Sequence, residues 1–443
     1  MRKLLVGIGA IVPLGGLLFG YNTAAISSAL LFLKGEFTLS TLEQGFLVSI
    51  ILIGAIIGVS AAGELSDRLG RKPAIMIADV FFIIGAMSLL FADSFPSLIF
   101  GRLITGVGVG VASLTVPLYL AELSPPKQRG ALVTLNQLAI TIGILLAYLV
   151  GLMEADTANW RALFGFALIP SVIQLIGMFF LPETPTYLAM NGQPKEAKRL
   201  LRLVRPRESV DSVYSKLKAS PKSKANFSSL FQKAMLPALI VGLGLSILQQ
   251  ITGINTVIYY ANQIFNLAGF GTDKAAIWAS LGVGIVNVVA TIVSVWLLDR
   301  AGRRPLLIIG IGAMTVGLLA LSVSFWFAIP GESVLAVLSL MVYVAGFAIG
   351  LGPVAWLIIS EVYPHAIRGR AMSLAIFANW VANYLVSLTF LSLIDWLSSA
   401  GAFLLYAIIC GYALYFVYRR VPETKGKTLE QIEGFWKKGK IKR

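Results

Sequence analysis

The chain has 443 residues, of which 57% are hydrophobic and only 13% are charged. A soluble globular protein carries about 25% charged residues, so this composition excludes a globule with a water-facing surface. The formal net charge of +15 raises nucleic acid as a partner, and the placement of that charge argues against it.

Apolar runs of about 20 residues, the length that crosses a bilayer, follow one another along the chain. In order they predict spans over 5–33, 44–62, 73–92, 97–119, 131–152, 162–181, 235–262, 276–298, 305–328, 334–359, 371–394 and 402–418. Met1-Arg2-Lys3 before an apolar stretch resembles the start of a signal peptide. That stretch is too long for one and eleven spans follow, so it reads as the first helix. Twelve spans leave both termini on one side. Lys34, Arg161 and Lys274 are the basic residues of the other side, and Arg102 lies within a span. The remaining Lys and Arg occupy the termini and the even-numbered connections, the bias that marks a cytoplasmic face. Both termini are therefore expected in the cytoplasm, and no nucleic-acid partner is expected.

A polar stretch from Ala189 to Lys233 separates the sixth and seventh spans, and its segment PKEAKRLLRLV has helical periodicity. The division predicted is 1–188 as a first six-helix bundle, 189–233 as a cytoplasmic linker with short helices, 234–420 as a second bundle and 421–443 as a cytoplasmic tail. The halves echo each other. GELSDRLGRK (63–72) returns as LLDRAGRRPL (297–306), AELSPPKQRG (121–130) as SEVYPHAIRG (360–369), and LPETPTYL (181–188) as VPETKGKTL (421–429). The offsets are nearly constant, as in a duplicated unit, and such repeats form substrate sites at their interface in transporters.

GGLLFGYNTAAISSALLF, GRLITGVGVG, VPLYLAELSPPKQRG, QQITGINTVIYY, DRAGRRPL, GPVAWLIISEVYPHAIRG and PETKGKTLEQIE together resemble the sugar porter family of the major facilitator superfamily, from end to end. The resemblance implies an all-α membrane protein with twelve transmembrane helices in two pseudo-symmetric six-helix bundles, joined by a cytoplasmic helical linker. It implies a central pocket for a hexose, a pentose or a related polyol, alternating access by rocking of the halves, and no cofactor. It also implies a multi-pass protein of the plasma membrane, a bacterial inner membrane, working among lipid as a monomer.

Sugars are neutral and covered in hydroxyls, so a carrier needs buried amides that both donate and accept, and aromatic faces for the apolar ring surface. Gln137, Gln249, Gln250, Asn255, Asn287 and Asn379 are amides inside predicted spans, with Trp356 and Trp380 beside them. Any one of them is as well read as polar glue between helices. Matched to the family, Gln137, the amides of the seventh span and Trp356 become sugar ligands, and Phe19 joins them. Asn287, Asn379 and Trp380 stay open between the two readings. Gln249 and Asn255 would lie roughly 120° apart on a continuous helix, so a break at Gly253 is expected if both meet one substrate. Tyr259 and Tyr260 follow as an outer gate, and Gly352-Pro353 gives the tenth span a similar weak point.

Asp67, Arg68 and Arg71 after the second span correspond to Asp299, Arg300 and Arg303 after the eighth, while Glu122, Arg129, Glu361 and Arg368 mark the ends of the fourth, fifth, tenth and eleventh. In the family such residues form charge pairs that join the cytoplasmic ends when the carrier faces outward. Static anchoring of the turns is the plainer alternative. Thr186 stands where the family carries an Arg in this network.

Proton-coupled members carry an Asp in GYDTGVISG of the first helix, and here Asn22 takes its place. Ser28 replaces a glycine of the same motif. An amide cannot take up and release a proton between pH 5 and 8. Arg102, the family's partner for that Asp, is retained. Facilitated diffusion is therefore expected, with a proton-coupled symporter using another acid as the alternative. Asp79, alone deep in a span, is the candidate for that proton.

A drug or organic-acid carrier is a rival reading; organic acids would favour midplane cations, and Arg102 is the only in-span one. A nutrient sensor on a transporter fold is a further rival. Cys410 and His365 are single residues, read as packing and a loop position, and neither supports a metal site. No Walker sequence or catalytic triad is present, so no enzyme activity is expected.

Overall fold

The computed structural model describes residues 2–125, 129–204, 209–219, 230–232, 235–327, 331–363 and 368–425. Among these the secondary structure is helical throughout, without a strand. The first span is two helices, α1 (Arg2–Ile11) and α2 (Leu14–Leu33). Pro13 between them lacks the N–H that would continue the ladder. Next come α3 (Thr41–Leu69), α4 (Arg71–Leu90), α5 (Phe95–Leu123) and α6 (Arg129–Met153). The sixth span is α7 (Trp160–Gly165) followed by α8 (Leu168–Phe180), with Pro170 just beyond the interruption.

Three short helices form the linker: α9 (Pro185–Met190), α10 (Pro194–Val204) and α11 (Val210–Ala219). Leu188, Ala189, Ala197 and Leu200 make a small core under Tyr214 and Leu217, and Lys198 pairs with Asp211 at 2.6 Å. That pairing holds the Asp211 carboxyl below its ordinary value. The seventh span is broken into α12 (Leu236–Ile251), α13 (Ile254–Tyr259) and α14 (Ala261–Leu267). There follow α15 (Asp273–Ala301), α16 (Arg303–Phe327), α17 (Glu332–Ile349), α18 (Pro353–Val362) and α19 (Arg368–Arg420). The tenth span thus parts between α17 and α18, where Gly350 to Gly352 precede Pro353.

Eleven described segments are long and apolar enough to cross a membrane, the last running over Arg370–Arg420. At 1.5 Å per residue a single helix of that length would reach over about 75 Å, more than twice a bilayer core of about 30 Å. Ser398, with φ 63° and ψ 168°, interrupts it. The segment is two spans joined by a one-residue corner, which brings the total to twelve. The loop expected at 395–401 is therefore shorter than the apolar pattern suggests. Large apolar side chains such as Phe180 and Trp396 stand 83% and 81% exposed, as expected of a surface that faces a membrane rather than water.

The helices form two compact units, residues 1–25 with 50–222 and residues 26–49 with 223–443. In the first, α4 packs against α5, α7 and α8. In the second, α16 packs against α17 and α19, while α12 lies on α18 and α19. The outer part of α2 and the start of α3 belong to the second unit. His365, most of the tail expected at 421–443 and parts of the 189–233 linker lie outside the described residues.

Candidate functional site

The break in the seventh span is made by Gly253, whose φ of +92° is left-handed. A side chain there would be strained in its own backbone and would place its Cβ 3.1 Å from Tyr406 Cδ1. Tyr343 OH donates to the Thr252 carbonyl at 2.9 Å, holding an acceptor that the interrupted helix leaves free. The break turns Asn255 back toward α12, so that Asn255 Nδ2 donates to Gln250 Oε1 at 2.8 Å.

From that point the amides form one chain. Gln250 Nε2 donates to Asn379 Oδ1 at 3.0 Å, and Asn379 Nδ2 donates to Gln249 Oε1 at 2.9 Å and to the Ser246 carbonyl at 2.8 Å. Gln249 Nε2 in turn donates to the Leu351 carbonyl at 2.8 Å, an acceptor freed where α17 and α18 part. The two helix breaks therefore serve one network. Gln249, Gln250 and Asn379 are buried while Asn255 is half-buried. Neutral amides with acceptors and donors on both sides can exchange their mutual bonds for bonds to hydroxyls at little electrostatic cost.

The other expected ligands are distributed as follows. Asn287 on α15 is buried, Trp356 on α18 is half-buried, and Trp380 on α19 is buried next to Asn379; all lie in the second unit. Phe19 on α2 and Gln137 on α6 are half-buried in the first unit. Tyr259 and Tyr260 are buried against α19. Tyr260 OH donates to the Ser387 carbonyl at 2.9 Å, and Asn383 Nδ2 donates to Tyr259 OH at 3.5 Å.

A cluster that the sequence reading missed lies beyond these tyrosines. The Asn262 backbone N–H donates to Ser27 Oγ at 3.1 Å, and its Nδ2 donates to Ser28 Oγ at 2.9 Å. Ser280 Oγ donates to Asn262 Oδ1 at 2.5 Å. Beside it Gln263 Nε2 donates to Gln44 Oε1 at 3.1 Å. These bonds tie the outer end of α2 and the start of α3 to α14 within the second unit. The signal available in the sequence was Ser28, where the family motif has glycine.

At the coupling position, Asn22 Nδ2 donates to the Leu18 carbonyl at 2.9 Å, within its own helix. Arg102 is fully buried; its Nη1 donates to the main-chain oxygen of Asn22 at 3.0 Å, and its guanidinium lies 6.0 Å from the centre of the Phe164 ring. Asp79 is 1% exposed on α4.

At the charged end of the helices the duplication appears as matched geometry. Arg71 pairs with Glu122 at 3.1 Å and with Asp67 at 3.2 Å, and its Nη1 donates to the Ser66 carbonyl at 3.0 Å. Arg303 pairs with Glu361 at 3.6 Å and donates to the Leu298 carbonyl at 3.1 Å. Arg68 pairs with Glu64 at the surface. The side chains of Arg129, Asp299 and Arg368 lie outside the described structure.

The repeated Pro-Glu-Thr segments have a role that their spacing did not disclose. Glu183 accepts from the backbone N–H of Arg71 and Lys72 at 3.2 and 3.1 Å. Glu423 accepts likewise from Arg303 and Arg304 at 3.1 and 3.0 Å. Each carboxylate caps the N-terminus of a helix, meeting its orphan donors and its dipole. Gly70 (φ +113°) and Gly302 (φ +92°) precede these helices, and a Cβ on Gly70 would lie 2.2 Å from Glu183 Oε2. The two caps differ electrostatically. Burial pushes the Glu183 carboxyl above its ordinary value. Burial also opposes ionisation of Glu423, but four backbone N–H bonds outweigh it and hold that carboxyl lower.

The sequence profile described as "Sugar (and other) transporter" matches residues 8–436. A D-xylose transporter of Levilactobacillus brevis is 39% identical over 98% of this chain and 96% of its own length. The glucose transporter GlcP of Staphylococcus epidermidis is 39% identical over 95% of this chain and 94% of its own. The xylose transporter XylE from Escherichia coli, solved in an inward open conformation, superposes with a TM-score of 0.84 at 33% identity, over 98% of this chain and 100% of that one. With twelve spans, a duplicated charged motif and a buried amide network already described, the chain belongs to the sugar (and other) transporter family, the sugar porters of the major facilitator superfamily, and is a membrane transporter rather than an enzyme.

Proposed function

We propose that this protein carries a monosaccharide, a hexose or a pentose, across the plasma membrane by alternating access, and that the sugar moves downhill. The observation that carries the reading is the hydrogen-bonded chain Asn255–Gln250–Asn379–Gln249, gathered by a helix break at Gly253. It is neutral, buried apart from the half-buried Asn255, and both donates and accepts hydrogen bonds, which suits a polyhydroxy solute and leaves an organic anion without a counter-charge. The xylose and glucose transporters to which the chain is similar support the same substrate class. Phe19, Gln137, Asn287, Trp356 and Trp380 are the further candidate sugar ligands that the family resemblance supports. Tyr259 and Tyr260 close the outer side.

The downhill direction rests on Asn22, an amide where coupled relatives hold a titrating acid. The positive-inside pattern supports cytoplasmic termini and a cytoplasmic linker. The bundles are taken as 1–188 and 234–420, with 189–233 between them and 421–443 as the tail, and the working unit as the monomer.

The test is exchange of labelled for unlabelled sugar in liposomes holding the purified protein, across a panel of hexoses, pentoses and polyols. Net uptake with and without a pH gradient accompanies it. Exchange of at least one monosaccharide, with no accumulation driven by outside acid, is the expected result. Accumulation above equilibrium under an acid gradient would overturn the downhill reading.

A further inference from the structure

Asp79 sits eight residues into α4, on the face formed by Ala74, Ile75, Ala78, Phe82, Gly85 and Ala86. This face packs on α5, α7 and α8. The packing is tight at its level: a Cβ on Gly108 of α5 would meet the Ala78 carbonyl at 3.0 Å and Phe82 at 3.1 Å. Both carboxyl oxygens of Asp79 are buried and make no hydrogen bond. Among the described residues it is the only carboxylate of which this holds for both oxygens; Glu122 and Glu361 each keep one oxygen paired.

The ionisable groups on the elements around it are engaged elsewhere. On α5, Arg102 donates to Asn22 O, Tyr119 OH to the Pro182 carbonyl, and Glu122 pairs with Arg71. On α7, Arg161 donates to the Ala92 carbonyl, and α8 carries no ionisable side chain. On α4 itself, Lys72 Nζ donates to the Phe179 and Leu181 carbonyls. A charged carboxylate in this place would be desolvated with nothing to compensate it, whereas a neutral acid forfeits far less.

We propose that Asp79 is a proton-binding site of the first bundle, filled in the conformation described here, and that losing the proton slows transport without carrying a proton along with the sugar. The chemistry is a simple dissociation. The O–H bond of the carboxylic acid breaks, the electron pair stays on the carboxylate, and the proton passes to a water molecule that reaches the carboxyl. Asp79 lies about 12 Å along the helix from Arg71 and about 16 Å from the other end, so the Arg71 end offers the shorter route for exchange.

The site modulates rather than couples because Asp79 has no hydrogen bond to the amide network, to Asn22 or to Arg102. The four bonded amides lie in the other unit. A coupled proton needs a link to substrate occupancy, while a proton required for bundle packing needs only the bundle. The inference rests on the carrier reading above, and its physical core is testable without it.

The experiment compares wild type, Asp79→Asn and, as a second neutral variant, Asp79→Ala in liposomes. Sugar exchange is measured from mildly acidic to alkaline pH, varied on one face at a time, with a trapped pH dye following protons. Wild-type exchange is expected to fall severalfold as pH rises on the face bearing Arg71. Both variants should hold their acid-pH rate, and no sugar-driven proton signal should appear. One pH profile shared by all three proteins overturns the proposal. A sugar-driven proton signal that Asp79→Asn abolishes also overturns it, together with the downhill reading. If no sugar exchanges, thermal unfolding decides the proton site alone. Wild type must lose stability relative to the variants as pH rises, and parallel curves refute the site.

Discussion

Gln250 and Asn379 are joined directly, Gln250 Nε2 donating to Asn379 Oδ1 at 3.0 Å, and Asn379 passes the connection to Gln249. One amide on α19 thus fixes the orientation of two on α12.

Asn379→Ala should therefore cost affinity and stability together. It leaves Gln250 Nε2 without its acceptor and Gln249 Oε1 without its donor, and an orphaned buried polar group costs about 1–3 kcal/mol. Sugar binding by the purified protein is expected to weaken roughly tenfold or more, with a lower unfolding temperature. Wild-type values for both would show that the network is incidental.

Gly253→Ala tests the helix break. A left-handed residue other than glycine costs about 1–2 kcal/mol, and the new methyl crowds Tyr406. Lower thermal stability is expected, with a KM that rises more than kcat falls, because Asn255 loses its reach to Gln250. An unaltered KM would remove Asn255 from the site.

Neutralising Glu361 tests the charged end. Arg303 keeps its carbonyl bond in Glu361→Gln but loses the ion pair. Partly exposed pairs are worth about 0.2–1 kcal/mol, so the expected shift toward the inward-facing state is at most severalfold. Reactivity of single cysteines introduced along the inner cavity reads it. No change in reactivity would mean the pair only anchors its turn.

Asn262→Ala tests the cluster at the outer end of α2. The variant loses the bonds to Ser28 and Ser280, each worth about 0.5–1.5 kcal/mol. Amide hydrogen exchange over 26–33 is expected to quicken on the order of tenfold, while exchange in α4 stays as it was. Unchanged exchange over 26–33 would refute the tie.

Twelve spans were legible because apolar run length is a bilayer constraint that no local packing overrides. The break at Gly253 was legible from helical geometry, since Gln249 and Asn255 could not share a face without it. Asn379 was left open between ligand and glue, and its bonds to Gln249 and Gln250 place it inside the network. The Asn262 cluster stayed hidden because one amide among many apolar residues gives no sign of which helix it will meet. The caps made by Glu183 and Glu423 were visible only as a repeated Pro-Glu-Thr. A carboxylate's partner on a helix more than a hundred residues away is set by tertiary packing, and periodicity carries no information about it. The separation of the last two spans was legible at Asp395, Ser398, Ser399 and Gly401, but not that Ser398 alone would make the corner, because backbone φ and ψ leave no mark on an apolar pattern.

The proposed transport of a sugar depends on recognition of a neutral polyhydroxy solute by the amides around Gln250. Equilibrium binding of labelled hexoses and pentoses to purified wild type and Gln250→Ala measures this directly, with unfolding temperature as a control for folding. Saturable binding of at least one monosaccharide by wild type is expected, with a loss of tenfold or more in the folded variant. Equal binding by the two proteins would contradict it.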